Sequence, residues 1–236
     1  HNRNQVWGAA DLVSQLAGSD AMEAIASRVA NYWVRQDQKM MLAILKGLLL
    51  DDTSDDGVIP DQLNAIQANA ATDAVAGNRF SGAALLDTFQ LLGDGKGDIT
   101  AIALHSVVHT DMQKLGLIDF IPDQDANIGY GTYMGKTLFV DDGLEVDTSQ
   151  VDGTSGAVQP IYDTVCFAPG AFQWGNGSPR VPVATSREEL QGNGGGAEYI
   201  VSRREWVLHP VGFTYAEPTI TRPSPSNAEL ALDNAY

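Results

Sequence analysis

The chain has one cysteine, Cys166, among its 236 residues. That excludes an internal disulfide and any cysteine-cluster metal site. Cations are scarce as well. Lys and Arg number 14 against 30 Asp and Glu, which gives a formal charge of −16 and a pI near 4.3. Such a balance argues against a protein that grips nucleic acid through its phosphates, because those carry clustered Lys and Arg. It equally opposes docking on an anionic membrane surface. Long apolar runs are missing: Met40 to Leu50 is only 11 residues and holds Lys46 and Gly47. A membrane span needs roughly 20, so a soluble protein without a membrane partner is expected. What remains is ordinary globular usage, 44% hydrophobic and 19% charged, enough for one large domain or two small ones. The chain opens at His1 without Met or a signal segment and stops at Tyr236, just after the capping-box pattern Ser226-Asn-Ala-Glu229. It is read as a piece trimmed at one or both ends.

The strongest periodic element runs from Ser19 to Leu50. Met22, Ile25, Val29, Trp33, Met40, Ile44 and Leu48 recur at three, four or seven residues, behind an acidic capping pair, Asp20 and Glu23. One uninterrupted helix of this length would span roughly 45 Å, which suggests an elongated body. The alternative is two helices broken near Gln36-Asp37-Gln38. After a turn-rich acidic break at 51–60, residues 61–77 read as mixed strand and loop. Helices are expected over 82–92 and 107–115, the second capped by Ser106 and closed by Gly116. Gly93 to Asp98 reads as a loop. Buried strands are expected over 99–104, 137–140 and 161–167, so that residues 80–180 alternate as a compact α/β unit does. A glycine-dense loop, 192–196, precedes expected strands over 199–208 and 211–215. There is no internal repeat.

No catalytic constellation declares itself. Gly129 to Thr137 imitates a phosphate-binding loop, but the required glycine is displaced and a strand follows where a helix should; a hairpin turn is the better reading. His105 and His109 have helical ligand spacing, but the first falls at a strand end and no Glu follows it. Asp52-x-Ser54-x-Asp56-Gly57 begins like a calcium loop, yet its twelfth position is Leu63. Asp141-Asp142-Gly143 and Asp123-x-Asp125 suit turn chemistry. Cys166, between Val165 and Phe167, reads as a small buried hydrophobe. Catalytic, cofactor-binding and metal-binding residues are all read as none.

Several segments, in order, resemble the major capsid proteins of tailed bacteriophages. They are Asp98-Ile-Thr-Ala-Ile-Ala-Leu-His105-Ser106, Leu115 to Asp123, Thr132 to Lys136 with Val140 to Gly143, Phe167-Ala-Pro-Gly170-Ala-Phe172, Ser202-Arg203-Arg204 with Leu208-His209-Pro210, and Pro225 to Leu230. The resemblance implies an α+β, Hong Kong 97-type capsid fold with a long spine helix, a peripheral β-sheet domain and a compact α/β axial domain. On this sequence, residues 1–18 would end the extended loop or lead into the spine helix. Residues 19–77, including spine helix 19–50, and 181–236 would form the peripheral domain, and 78–180 the axial domain. No motif for an inter-subunit crosslink is present.

The implied function is a structural one, without enzymatic activity: self-assembly into hexamers and pentamers of a virion shell that encloses phage DNA without sequence-specific binding. Portal and scaffolding or decoration proteins are the implied partners, and the bacterial cytoplasm the implied place of assembly. The acidic balance agrees, since like-charged walls let a genome slide. Candidate subunit contacts are Asp94, Lys96, Asp123, Asp125 and Tyr130 in the axial loops, Gly194 in the glycine-dense loop, and the length of the spine helix. Rival readings are an encapsulin-type compartment shell, a soluble or metal-dependent hydrolase using His105 and His109, and a small head-decoration or tail module.

Overall fold

The computed structural model describes residues 1–18, 20–53, 80–120, 131–148, 160–192, 194–216, 220 and 223–232. It is a mixed α+β fold that divides into two compact units, His1–Leu48 with Phe172–Tyr236, and Leu49–Ala171. Among the described residues no helix is long and apolar enough to cross a membrane.

In the first unit, strand β1 (Asn2–Ala10) and helix α1 (Asp11–Ala17) lead into the long helix α2 (Ala21–Thr53). Neither β1 nor α1 announces itself in the sequence. Asn2 to Gln5 is wholly polar, and α1 is two turns long. Helix α2 is a single element of 33 residues, so the two-helix alternative fails. The Asp20 carboxylate caps it, accepting from the Met22 and Glu23 amides at 2.8 and 3.4 Å. Its Trp33, Met40 and Ile44 are buried as the periodicity requires, while Met22, Ile25 and Val29 are only half-buried. Strands β9 (Phe172–Asn176), β10 (Val183–Glu188) and β11 (Ala197–Pro210) complete the sheet. β11 is its axis. β1 pairs antiparallel along it from Glu205 to Ala197, β10 lies against Ser202 to Ala197, and β9 against Trp206 to Pro210. Strand β11 runs longer than its apolar pattern suggests, and the strand expected over 211–215 is absent. Gly212 sits at φ 95°, a left-handed geometry incompatible with an extended run. Strands pair on both edges of β11, which holds its mixed polar sequence extended.

The second unit carries helix α3 (Gly82–Gln90), β2 (Ala101–Leu104), α4 (Ser106–Lys114), β3 (Asp119–Phe120), β4 (Gly131–Tyr133), β5 (Lys136–Val140), β6 (Val146–Asp147), β7 (Ile161–Tyr162) and β8 (Thr164–Phe167). Its five-stranded sheet has the order β3-β4-β5-β2-β8, and β6 with β7 forms a separate ribbon. Leu85 and Phe89 of α3, Ile102 and Leu104 of β2, Val108 and Met112 of α4, and Leu138 of β5 share one core. The i, i+4 spacing of each helical pair turns both side chains to one face.

Four sequence expectations are corrected here. Gly93–Asp98 is a 3-10 turn rather than open loop. The cap of α4 is His105, whose Nδ1 accepts from the Val107 amide at 3.2 Å, while the Ser106 amide donates to Asp142 Oδ1. The strand read over 161–167 is two strands parted at Asp163, because β7 pairs with β6 and β8 with β2. Only Leu138 of β5 is buried; Phe139 and Val140 are 52% and 47% exposed. The capping box at Ser226 is present, opening helix α5 (Asn227–Leu230).

Candidate functional site

Most of the described positions that invited catalytic readings are engaged in structure. Met134 and Gly135 both have positive φ and join Tyr133 to Lys136 as a two-residue hairpin. Lys136 donates to the Ile99 carbonyl at 2.6 Å and lies 5.1 Å from the Phe89 ring centre. Its ammonium therefore closes a core and leaves no free cation for a phosphate. His105 caps α4, stacks 4.7 Å from Tyr162 and stands 3.6 Å from Asp142. His109 lies within α4. Asp141 accepts from the Gly143 amide at 2.9 Å, a turn-forming bond. Hydrogen bonds from Ser106 to Asp142 hold that carboxyl below its usual range. Burial pushes the Cys166 thiol up to about 11, against the pull of Lys136, so it is not poised as a nucleophile. The calcium-loop half-match lies, beyond Thr53, outside the described residues. Among the described residues no group of three or more His, Cys, Asp or Glu is placed to hold a metal.

The contact candidates are scattered. Asp94 and Lys96 sit exposed on the 3-10 turn, where Lys96 donates to Gln90 at 3.4 Å. Beside them Leu86, Leu91 and Leu92 are 46%, 42% and 45% exposed, an apolar rim to a charged turn. Gly194 occupies the β10–β11 turn at φ 86°, a conformation that favours glycine. Asp123, Asp125 and Tyr130 lie outside the described residues.

Sequence reasoning missed the polar construction of the first unit. Trp33 donates its indole N–H to Ser202 across 169 residues at 3.0 Å. Trp7, Tyr32, Trp33 and Trp206 follow one another edge to face, with centroids 5.1, 5.2 and 5.9 Å apart. Arg204 bonds Asp37 at 2.7 Å and lies between the Trp174 and Trp206 rings. Arg3 reaches the Pro225 carbonyl and Asn227, while the Asn2 amide donates to Ser224. Strand β1 is thereby tied to the segment before α5 as well as to the sheet. Apart from the neighbours Tyr32 and Trp33, these pairs join residues well separated in the chain and leave no local pattern.

The cavities of this unit are small or open. One of about 60 Å³ lies among Arg3, Tyr32, Trp33, Gln36, Met40 and Trp206. A shallow cleft of about 360 Å³ lies between Glu205 to Val207 and Pro223 to Pro225. Neither gathers the convergent titratable groups of an active site.

No family model matches the chain. It is 34% identical over 229 residues to the major capsid protein of Bacillus phage SPP1, an alignment covering 97% of this chain. The chain spans 64% of that relative's length. A solved structure described as the capsid of the native GTA particle, computed with C5 symmetry, aligns with a TM-score of 0.46 and 13% identity. That alignment covers 89% of this chain and 69% of the other.

Proposed function

We propose that the chain, 34% identical to a phage major capsid protein over 97% of its length, is the repeating tile of an icosahedral head shell of Hong Kong 97 type. The observation that carries this reading is the 34% identity sustained over nearly the whole chain. On this reading the first unit, with its long helix and sheet, is the peripheral domain. The second is the axial domain around the centre of each capsomer. Copies contact one another head to tail and close into hexamers and pentamers, since heterologous contacts close into rings when the rotation allows. Individually modest contacts suffice, because a copy held by several neighbours benefits from high effective concentration. The shell encloses DNA, works with portal and scaffolding or decoration proteins, assembles in the bacterial cytoplasm and performs no reaction. Its DNA-facing surface is predominantly acidic, so that the genome is contained without being gripped.

Electron microscopy and sedimentation of the protein expressed at the full length of its natural gene test the proposal. Closed megadalton shells are the expected result. Small oligomers, with or without a measurable hydrolytic activity, would overturn it. Shells that fill with a cargo enzyme instead of DNA would replace it with the compartment reading.

A further inference from the structure

Two exposed surfaces of the first unit are complementary in charge. The first is the outward face of α2. Arg28, Arg35 and Lys39 are exposed there, and their spacing of seven and four sets them on one stripe. None has an ion pair among the described residues, and Val34, about 100° round the helix from Arg35, is 65% exposed. In a chain of net charge −16, this is a local concentration of positive charge.

The second surface is the end of the sheet where α1 meets the β10–β11 turn. Arg187 binds Asp11 and Glu189 at 2.6 Å and Glu198 at 2.7 Å. The Asp11 amide donates to the Gly196 carbonyl at 3.2 Å, which ties α1 to the turn. Three carboxylates thus surround one guanidinium and leave a net negative charge, and Glu188, exposed next to Arg187 in the strand, adds to it. Around this group Leu12, Val13, Leu16 and Leu190 are 59%, 51%, 81% and 93% exposed. An apolar side chain exposed to that degree, repeated within one turn and one short helix, marks a surface awaiting cover.

We propose that the acidic, leucine-bearing end of one copy docks on the basic stripe of α2 of a second copy. This rests on the shell reading above and adds the surfaces it uses. Charge complementarity selects the occupant, and the exposed leucines of the acidic end are covered with it. The same copy cannot satisfy itself. Arg35 and Lys39 lie about 21 and 27 Å along the axis from the start of α2, where α1 is attached. The two surfaces differ, so the contact is heterologous and propagates from copy to copy until a ring closes.

Charge reversal with rescue tests it. Arg35→Glu combined with Lys39→Glu changes only exposed positions, so an unchanged far-UV spectrum and melting temperature are expected, together with a fall on the order of tenfold or more in particle yield. Glu188→Lys with Glu189→Lys should give the same loss. Joining the two pairs of changes should restore particles, because the complementarity is rebuilt with reversed sign. Normal yield from either reversed pair alone, or no recovery when they are combined, overturns the interface. Normal particle numbers with lost DNA content also overturn it, by placing the stripe against the genome. Absence of particles from the unaltered protein defeats the shell reading itself and is thereby distinguished from failure of the interface.

Discussion

In the unit of residues 49–171, the buried core is assembled from neighbours in sequence. Leu85 and Phe89, then Ile102 and Leu104, then Val108 and Met112 follow within 28 residues and are almost wholly aliphatic. In the unit of residues 1–48 and 172–236, Trp33 and Met40 instead meet Trp206, Leu208 and Leu230 from the other end of the chain. Those distant pieces are joined by directional bonds, Trp33 to Ser202 and Asp37 to Arg204, and by ring edges. An aliphatic core of local segments needs only volume and pattern to be nearly right. A core of distant aromatic and polar groups needs register, because each donor has one acceptor. The first kind tolerates substitution; the second converts a small shift into several lost interactions.

Four substitutions would break or sharpen this contrast. Trp206→Ala should have the largest effect, costing on the order of 3–5 kcal/mol. The side chain is 2% exposed and touches Trp33 and Arg204. Hydrogen exchange should then show loss of protection across α2, β1 and β11 with α3, β2 and α4 still protected. Ile102→Ala, fully buried in the second unit, should cost about 2–4 kcal/mol and reverse the pattern of exchange. Equal loss in both units for either variant would dissolve the distinction.

Gly8→Val tests the register of β1. A Cβ at Gly8 would stand 2.6 Å from the Tyr199 ring, so a cost of about 1–3 kcal/mol in thermal unfolding is expected, largely recovered by adding Tyr199→Ala. The smallest effect is a pH dependence confined to the second unit. Burial, reinforced by Glu145 and then Asp147, pushes Asp163 up to about 6. A carboxyl whose folded pKa is raised destabilises the fold when ionised. That cost is present above about pH 6 and fades as pH falls towards the unfolded value near 4. Asp163→Asn should therefore stabilise by on the order of 1 kcal/mol at pH 7, after discounting for solvent screening of a half-buried group. The gain should vanish near pH 4. An equal gain at both values would show that the carboxyl is not the cause.

The same contrast explains which elements could be read beforehand. Helix α2, helices α3 and α4, and strands β2 and β5 follow from i, i+4 pairs, short apolar runs and glycine or capping residues within a few positions. His105 was misread as merely preceding the cap because a histidine Nδ1 can serve where serine was expected. Strand β1 had no apolar alternation to reveal it, and β10, with only Ala184 even half-buried, is held by pairing with β11. The contact surfaces were legible only in part. Gly194 is proposed from the glycine-dense composition of its loop, and Asp94 and Lys96 from a glycine-rich turn. Arg28, Arg35 and Lys39 lie on the polar face of a helix whose apolar face carries the periodic signal, and Asp11 is separated from Arg187 by 176 residues.

By itself, the sequence determined the long helix, much of the apolar core, the exclusion of a disulfide within these residues and the similarity to a capsid protein. Hydrophobic periodicity, capping and shared residues are all properties of local order along a chain. Only the tertiary structure decided that a polar opening segment becomes a sheet strand, that Trp33 finds Ser202, and that carboxylates from three segments converge on Arg187. The β1 pairing, the Trp33 bond and the Asp11 contact join segments more than 160 residues apart, where the free energy resides in register and geometry and no short window of sequence contains both partners.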